Sequence, residues 1–129
     1  MTSAAKTFLA AGGLAALVVV ALGAFGAHVL KGRLSPEMLA VWHAAVEYQM
    51  FHALGLLAVG LVAVQLTESA LLTLLKWSGW LMVAGIVLFS GSLYALALTG
   101  VRWLGAVTPA GGTAFLAAWV LFVIAILRA

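Results

Sequence analysis

The sequence predicts an all-α membrane protein: a four-transmembrane-helix bundle running up-down-up-down, one domain over residues 1–129, with both ends on the same side. Apolar residues make up 67% of the chain and charged residues 7%, whereas about a quarter of an ordinary soluble domain is charged. The charges also punctuate the chain. Lys6 and Lys31, Glu47 and Glu68, Lys76 and Arg102, and Arg102 and Arg128 bound four uncharged runs, each holding the roughly 20 residues that a membrane-crossing helix needs. In lipid a lone apolar segment must satisfy its own backbone hydrogen bonds, which a helix does, and the runs lack the alternation of barrel strands.

The first span is expected over residues 8–30. Lys6 ahead of an apolar stretch resembles a secretory signal, but signal cores are roughly 7–15 residues long and this one is longer, so it is expected to be retained. Gly32 to Ser35 ends this helix. Ser35, Pro36 and Glu37 then read as an N-cap, a first-turn proline and a favourably placed acid, so the second helix starts at Pro36 and carries an interfacial overhang before its span at 44–66. Thr67 to Ser69 make the next turn, ahead of a span at 77–98. Gly100 to Thr108 form the last connection, and Pro109 opens the span at 109–127. Trp77 and Trp80 fall at one membrane face and Trp42 and Trp103 at the other, as an aromatic belt would have it, while Trp119 sits alone near mid-membrane.

The net charge of +3 comes from basic residues framing the spans, not from a nucleic-acid footprint. Lys6, Lys76 and Arg128 lie on one side and Lys31, Arg33 and Arg102 on the other, so the positive-inside rule finds no majority. The chain has no cysteine, which removes disulfides, thiolate metal sites and thiol nucleophiles.

Small residues recur at packing intervals: Gly12 with Ala16, Gly23 with Ala27, and Ala110 with Ala114 and Ala118. In the third span Ser78, Gly85, Ser92 and Thr99 form a seven-residue stripe, with Gly91 beside it and Ser90 and Tyr94 on another face, so this helix is expected to have neighbours on two sides. Gly111 and Gly112 mark a tight start to the fourth span. Such positions let backbones approach where lipid is as apolar as the side chains.

Polar residues inside spans are the functional candidates, because they are costly there. His28, Glu47, His52, Ser90, Tyr94 and Thr108 all belong to the half of the membrane facing the first and third loops. Counting 1.5 Å per residue from the loop-facing ends, His28 and Glu47 come to matching depth, and so do His52 and Ser90. Glu47 is therefore expected to touch His28 or His43, and a neutral His52 to meet Ser90 or Tyr94.

Specific chemistries fare poorly. His43 and Glu47 share a helix face but lack further zinc ligands, and no motif supports haem ligation by the histidines, so no metal and no cofactor is expected. Ser90, His52 and Glu47 have the residue types of a triad, yet five residues set His52 and Glu47 about 140° apart on an ideal helix.

Five motifs in order, Gly23-Ala-Phe-Gly-Ala-His28, Trp42 with Tyr48-Gln-Met-Phe-His52, Phe89-Ser-Gly-Ser-Leu-Tyr94, Gly105 with Thr108-Pro-Ala-Gly-Gly112, and Trp119, resemble the succession in the bacterial membrane family known as domain of unknown function 423. Its eukaryotic relatives are similar to transmembrane protein 256. The resemblance implies a four-helix protein of the bacterial inner membrane with no established activity to carry over. The expected role is therefore non-enzymatic, a structural or accessory membrane component with the lipid bilayer and either a second copy or another membrane protein as partners. The alternative is a small transporter or ligand-binding protein with a one-sided polar pocket around His28, His52, Ser90 and Tyr94.

Overall fold

The computed structural model describes residues 1–129 and is helical almost throughout, without strands. Helix α1 runs Ser3–His28, with Thr2 capping it by accepting from the Ala5 N–H at 3.2 Å. A single 3₁₀ turn, Leu30–Gly32, leads to α2, Pro36–Gln65. Ser35 caps α2 through the Met38 N–H, with Pro36 in the first turn, as the sequence reading expected. The third span is α3, Ser69–Gly85, a π turn at Ile86–Ser90, and α4, Gly91–Thr99. Gly100 stops it in the left-handed conformation, φ 72°, donating to the Leu96 carbonyl. A 3₁₀ turn, Arg102–Ala106, precedes α5, Thr108–Arg128.

All four helices are long and apolar enough to cross a membrane, and the chain is an integral membrane protein. The third helix begins at Ser69 rather than at the expected 77. Lys76 lies exposed within it, because a charge marks the edge of the hydrocarbon and not the end of hydrogen bonding. Only 30 of 129 residues are buried, while Leu14, Leu17, Leu61, Leu116 and Leu127 point outward. Lipid-facing surfaces are apolar by necessity, so small and polar residues turn inward.

Consecutive helices pack antiparallel. α1 lies along α2, and the third span lies between α2 and α5. Phe8, six residues into α1, packs on Gly79 and Trp80, about as far from Ser69 as Ala118 is from Arg128, and Ser78, Gly85 and Phe89 meet Ala118, Phe115 and Gly111 in reverse order, so Ser3 and Arg128 lie at the same end of the bundle. At that end the core is Ala5, Phe8, Leu56, Val59, Leu75 and Met82. The opposite end holds a smaller cluster of Leu30, Trp42 and Ala97.

Close approach depends on particular glycines. Atoms of neighbouring helices fill the space a Cβ would need at Gly12, Gly26, Gly79, Gly85 and Gly111: the Trp42, Phe8 and Phe115 rings at Gly26, Gly79 and Gly85, and backbone together with side-chain atoms of Leu57 and Phe89 at Gly12 and Gly111. Several expected packing positions are displaced. Ala27 is exposed, and Gly26 beside it receives Trp42. A Cβ at Gly23, Gly91 or Gly112 would meet nothing closer than 3.6 Å. Ala110 is exposed and Ala114 half-buried, whereas Gly111, Phe115, Ala118 and Ala125 form the buried stripe of α5. Gly12, Gly111 and Ala118 are buried as expected, while Ala27 and Ala110 each lie one residue from the glycine that the neighbouring helix covers. The third-span stripe holds at Ser78, Gly85 and Ser92, all buried, and ends before the exposed Thr99.

Candidate functional site

Between the two apolar clusters lies a layer of buried polar side chains that ties each helix to its neighbours. Gln49, on α2, donates from Nε2 to the Ala15 carbonyl of α1 at 3.0 Å and accepts at Oε1 from the Tyr94 hydroxyl of α4 at 2.8 Å. One amide thus joins three helices. Ser90 donates to the Ala45 carbonyl at 2.7 Å, and Trp42 donates its indole N–H to the Leu22 carbonyl at 3.0 Å. Ser78 donates to the Ala118 carbonyl at 2.7 Å. The two-sided reading of the third helix is met: Ser90 and Tyr94 face α2, and Ser78 and Ser92 face α5.

The π turn is stabilised from outside. Ser92 gives its hydroxyl proton to the Phe89 carbonyl at 2.9 Å, so Thr108, 2.7 Å away, must be the donor in the Ser92–Thr108 bond. The turn sets Phe89 against Tyr48, ring centroids 4.3 Å apart, and places its backbone against Gly111. Single π turns frequently occur at functional sites.

His52 is buried and bonded at both nitrogens. Nδ1 is 2.8 Å from the Tyr48 carbonyl, and Nε2 is 3.0 Å from Trp119 Nε1. A carbonyl can only accept and an indole N–H can only donate, so His52 is neutral and carries its proton on Nδ1. Phe115 stacks on the imidazole at 3.5 Å.

These contacts correct two expectations. His52 meets Trp119, not Ser90 or Tyr94. The pairs Trp42–Tyr94, Ala45–Ser90 and Gly55–Met82 fix the register of α2 against the third span, and it places His52 opposite Ala84 and Gly85, more than a turn from Ser90. Glu47 forms no hydrogen bond or ion pair with His28 or His43. The pairs Gly26–Trp42 and Gly23–Val46 put Glu47 level with Leu22, and His28 lies exposed nearly two turns beyond. Depth counted from loop charges failed because the helices overhang the hydrocarbon by unequal amounts. Trp42 is likewise no belt residue: it is 2% exposed, against 61%, 52% and 68% for Trp77, Trp80 and Trp103.

Sequence reasoning missed Gln49 as a hub and Trp119 as the partner of His52. Both were detectable, since a mid-span amide and a mid-span indole N–H each demand a bonding partner.

Glu47 and His52 lie on a lateral cleft of about 740 Å³ between α2 and α5, with Phe51, Phe89, Phe115 and Trp119 among its walls. His28, Ser90, Tyr94 and Thr108 do not line it. No group of side chains is arranged to hold a metal ion.

Fold and polar layer together define a polytopic membrane protein whose four spans are laced by buried hydrogen bonds. The chain belongs to the family described as Protein of unknown function (DUF423), whose model matches residues 22–112. It is 49% identical over 123 residues to the UPF0382 membrane protein YwdK of Bacillus subtilis, covering 95% of this chain and 98% of that one. A UPF0382 membrane protein of Staphylococcus epidermidis is 49% identical over 123 residues, covering 95% and 97%. One from Staphylococcus aureus is 44% identical over 120 residues, covering 93% and 94%. No solved structure matches the chain.

Proposed function

We propose that this protein is a non-enzymatic accessory component of the bacterial inner membrane, acting through its lipid-facing surface on a second copy or on another membrane protein. The observation that supports this reading is the internal satisfaction of its polar groups: no buried side-chain nitrogen or oxygen lacks a hydrogen-bond partner. A catalytic or transport site needs groups held ready for a substrate. Here Ser90, Tyr94, Gln49 and Thr108 are spent on neighbouring helices.

Affinity purification from native membranes, with mass spectrometry of co-purifying proteins and native mass measurement, tests the proposal. The expected result is a fixed-ratio assembly with itself or with one membrane protein. A monomer that moves a solute when reconstituted in liposomes would overturn it in favour of a transporter.

A further inference from the structure

The cleft between α2 and α5 has a chemistry that the accessory role leaves unused. Its volume, about 740 Å³, falls in the range of small-molecule sites, roughly 300–1,000 Å³. Aromatic side chains dominate its walls, and Glu47 is the one formally charged residue among them. No lysine or arginine lines it, and Glu47 has no ion-pair partner within the protein. His52, at the floor, is held neutral by its bonds to Tyr48 and Trp119 and so adds no positive charge. The rim is open sideways, with Phe51 60% and Leu116 72% exposed, so the approach is from the acyl chains.

We propose that this cleft binds a lipophilic organic cation taken from the bilayer, a molecule of drug-like size whose positive charge is shielded by or spread over aromatic groups. Three physical terms favour such a guest. The Glu47 carboxylate supplies the counter-charge, in a setting where ions are costly unless paired. Aromatic faces attract cations, and more strongly where water is excluded. A shielded charge loses little hydration on leaving water, so the guest already partitions into the membrane. A phospholipid keeps its ammonium group at headgroup level, whereas the cleft runs about 15 Å along α5 from Pro109 to Trp119, and the pairs Tyr48–Phe115 and His52–Trp119 put Glu47 near the middle of that length. The π turn builds this site by setting Phe89 between Tyr48 and Phe115, at centroid distances of 4.3 and 5.6 Å.

The test uses the full chain in phosphatidylcholine nanodiscs with radiolabelled tetraphenylphosphonium. Saturable binding near one per chain is expected. Glu47→Gln should weaken it at least about tenfold, and Leu116→Trp, which fills the cleft from its exposed rim, should abolish it, both at unchanged melting temperature. Tetraphenylborate, of the same shape and opposite charge, should not compete. Binding no greater than to empty nanodiscs, equal binding by Glu47→Gln, or competition by the borate would each overturn the proposal. Displacement of the probe by phosphatidylethanolamine in the disc would overturn it too, assigning the cleft to a lipid headgroup. None of these outcomes bears on the assembly measured for the accessory role.

Discussion

Trp119 and His52 are joined by a 3.0 Å hydrogen bond that links α5 to α2, two helices that otherwise meet mainly through aromatic rings. The bond has a fixed direction, because the indole can only donate, and it completes the satisfaction of an imidazole whose other nitrogen already serves the Tyr48 carbonyl. The same pair forms the floor of the lateral cleft.

Trp119→Phe keeps an aromatic ring and removes the donor. We expect it to lower unfolding free energy in detergent by about 0.6–2 kcal/mol, the range for hydrogen bonds between membrane helices. His52→Ala should add less than its full effect on top of Trp119→Phe. Combined with Ser90→Ala it should be additive, because Ser90 serves the Ala45 carbonyl instead. Additivity of the first pair would contradict the bond.

The protonation of His52 can be read directly. Nitrogen NMR of histidine-labelled protein at neutral pH should show one imidazole with a protonated Nδ1 and a bare Nε2, and Trp119→Phe should move the Nε2 signal of that residue alone. A signal with both nitrogens protonated would rule out the arrangement.

Glycines should differ according to what faces them. Gly111→Ala drives a methyl into the Phe89 backbone and should cost about 1–3 kcal/mol. Gly13 faces open space, so Gly13→Ala should be neutral or slightly stabilising, since alanine is favoured in helices by up to about 1 kcal/mol. Thermal melts of the two variants in one detergent make the comparison, and equal shifts would be inconsistent with the packing.

Trp42 is expected to behave as a core residue. Trp42→Phe removes the bond to the Leu22 carbonyl and the indole atoms that sit over Gly26, and should destabilise by about 1–3 kcal/mol. Trp77→Phe, at an exposed position, should change stability by less than about 0.5 kcal/mol.

Topology is testable by single cysteines. Those at Ser3, Ser69 and Ala129 should react with an impermeant reagent from one side of the membrane, and those at Gly32 and Gly105 from the other. Any other grouping would mean that a span is misassigned.

Much of the fold was legible because transfer into lipid depends on local composition. Four uncharged runs could only be helices, and Ser35-Pro36-Glu37 marked the start of α2 through capping chemistry that acts within one turn. The site was legible in part. His52, Ser90, Tyr94 and Thr108 were singled out, and all are bonded between helices or, for His52, also within α2. Their partners were not, because partnering depends on rotation and register between helices, and helix ends that overhang the hydrocarbon unequally give no common zero of depth.

By itself, then, the sequence determined a membrane protein of four helical spans, the positions of its turns, and which polar side chains would have to find partners. Only the tertiary structure decided that Gln49 bridges α1 and α4, that Trp119 rather than Ser90 meets His52, and that Glu47 faces a cleft instead of a histidine. The difference is physical: solvation and backbone hydrogen bonding act on each segment alone, while a side-chain hydrogen bond requires two segments to be set to within about 0.5 Å, which the packing of Gly12, Gly26, Gly85 and Gly111 against their neighbours accomplishes.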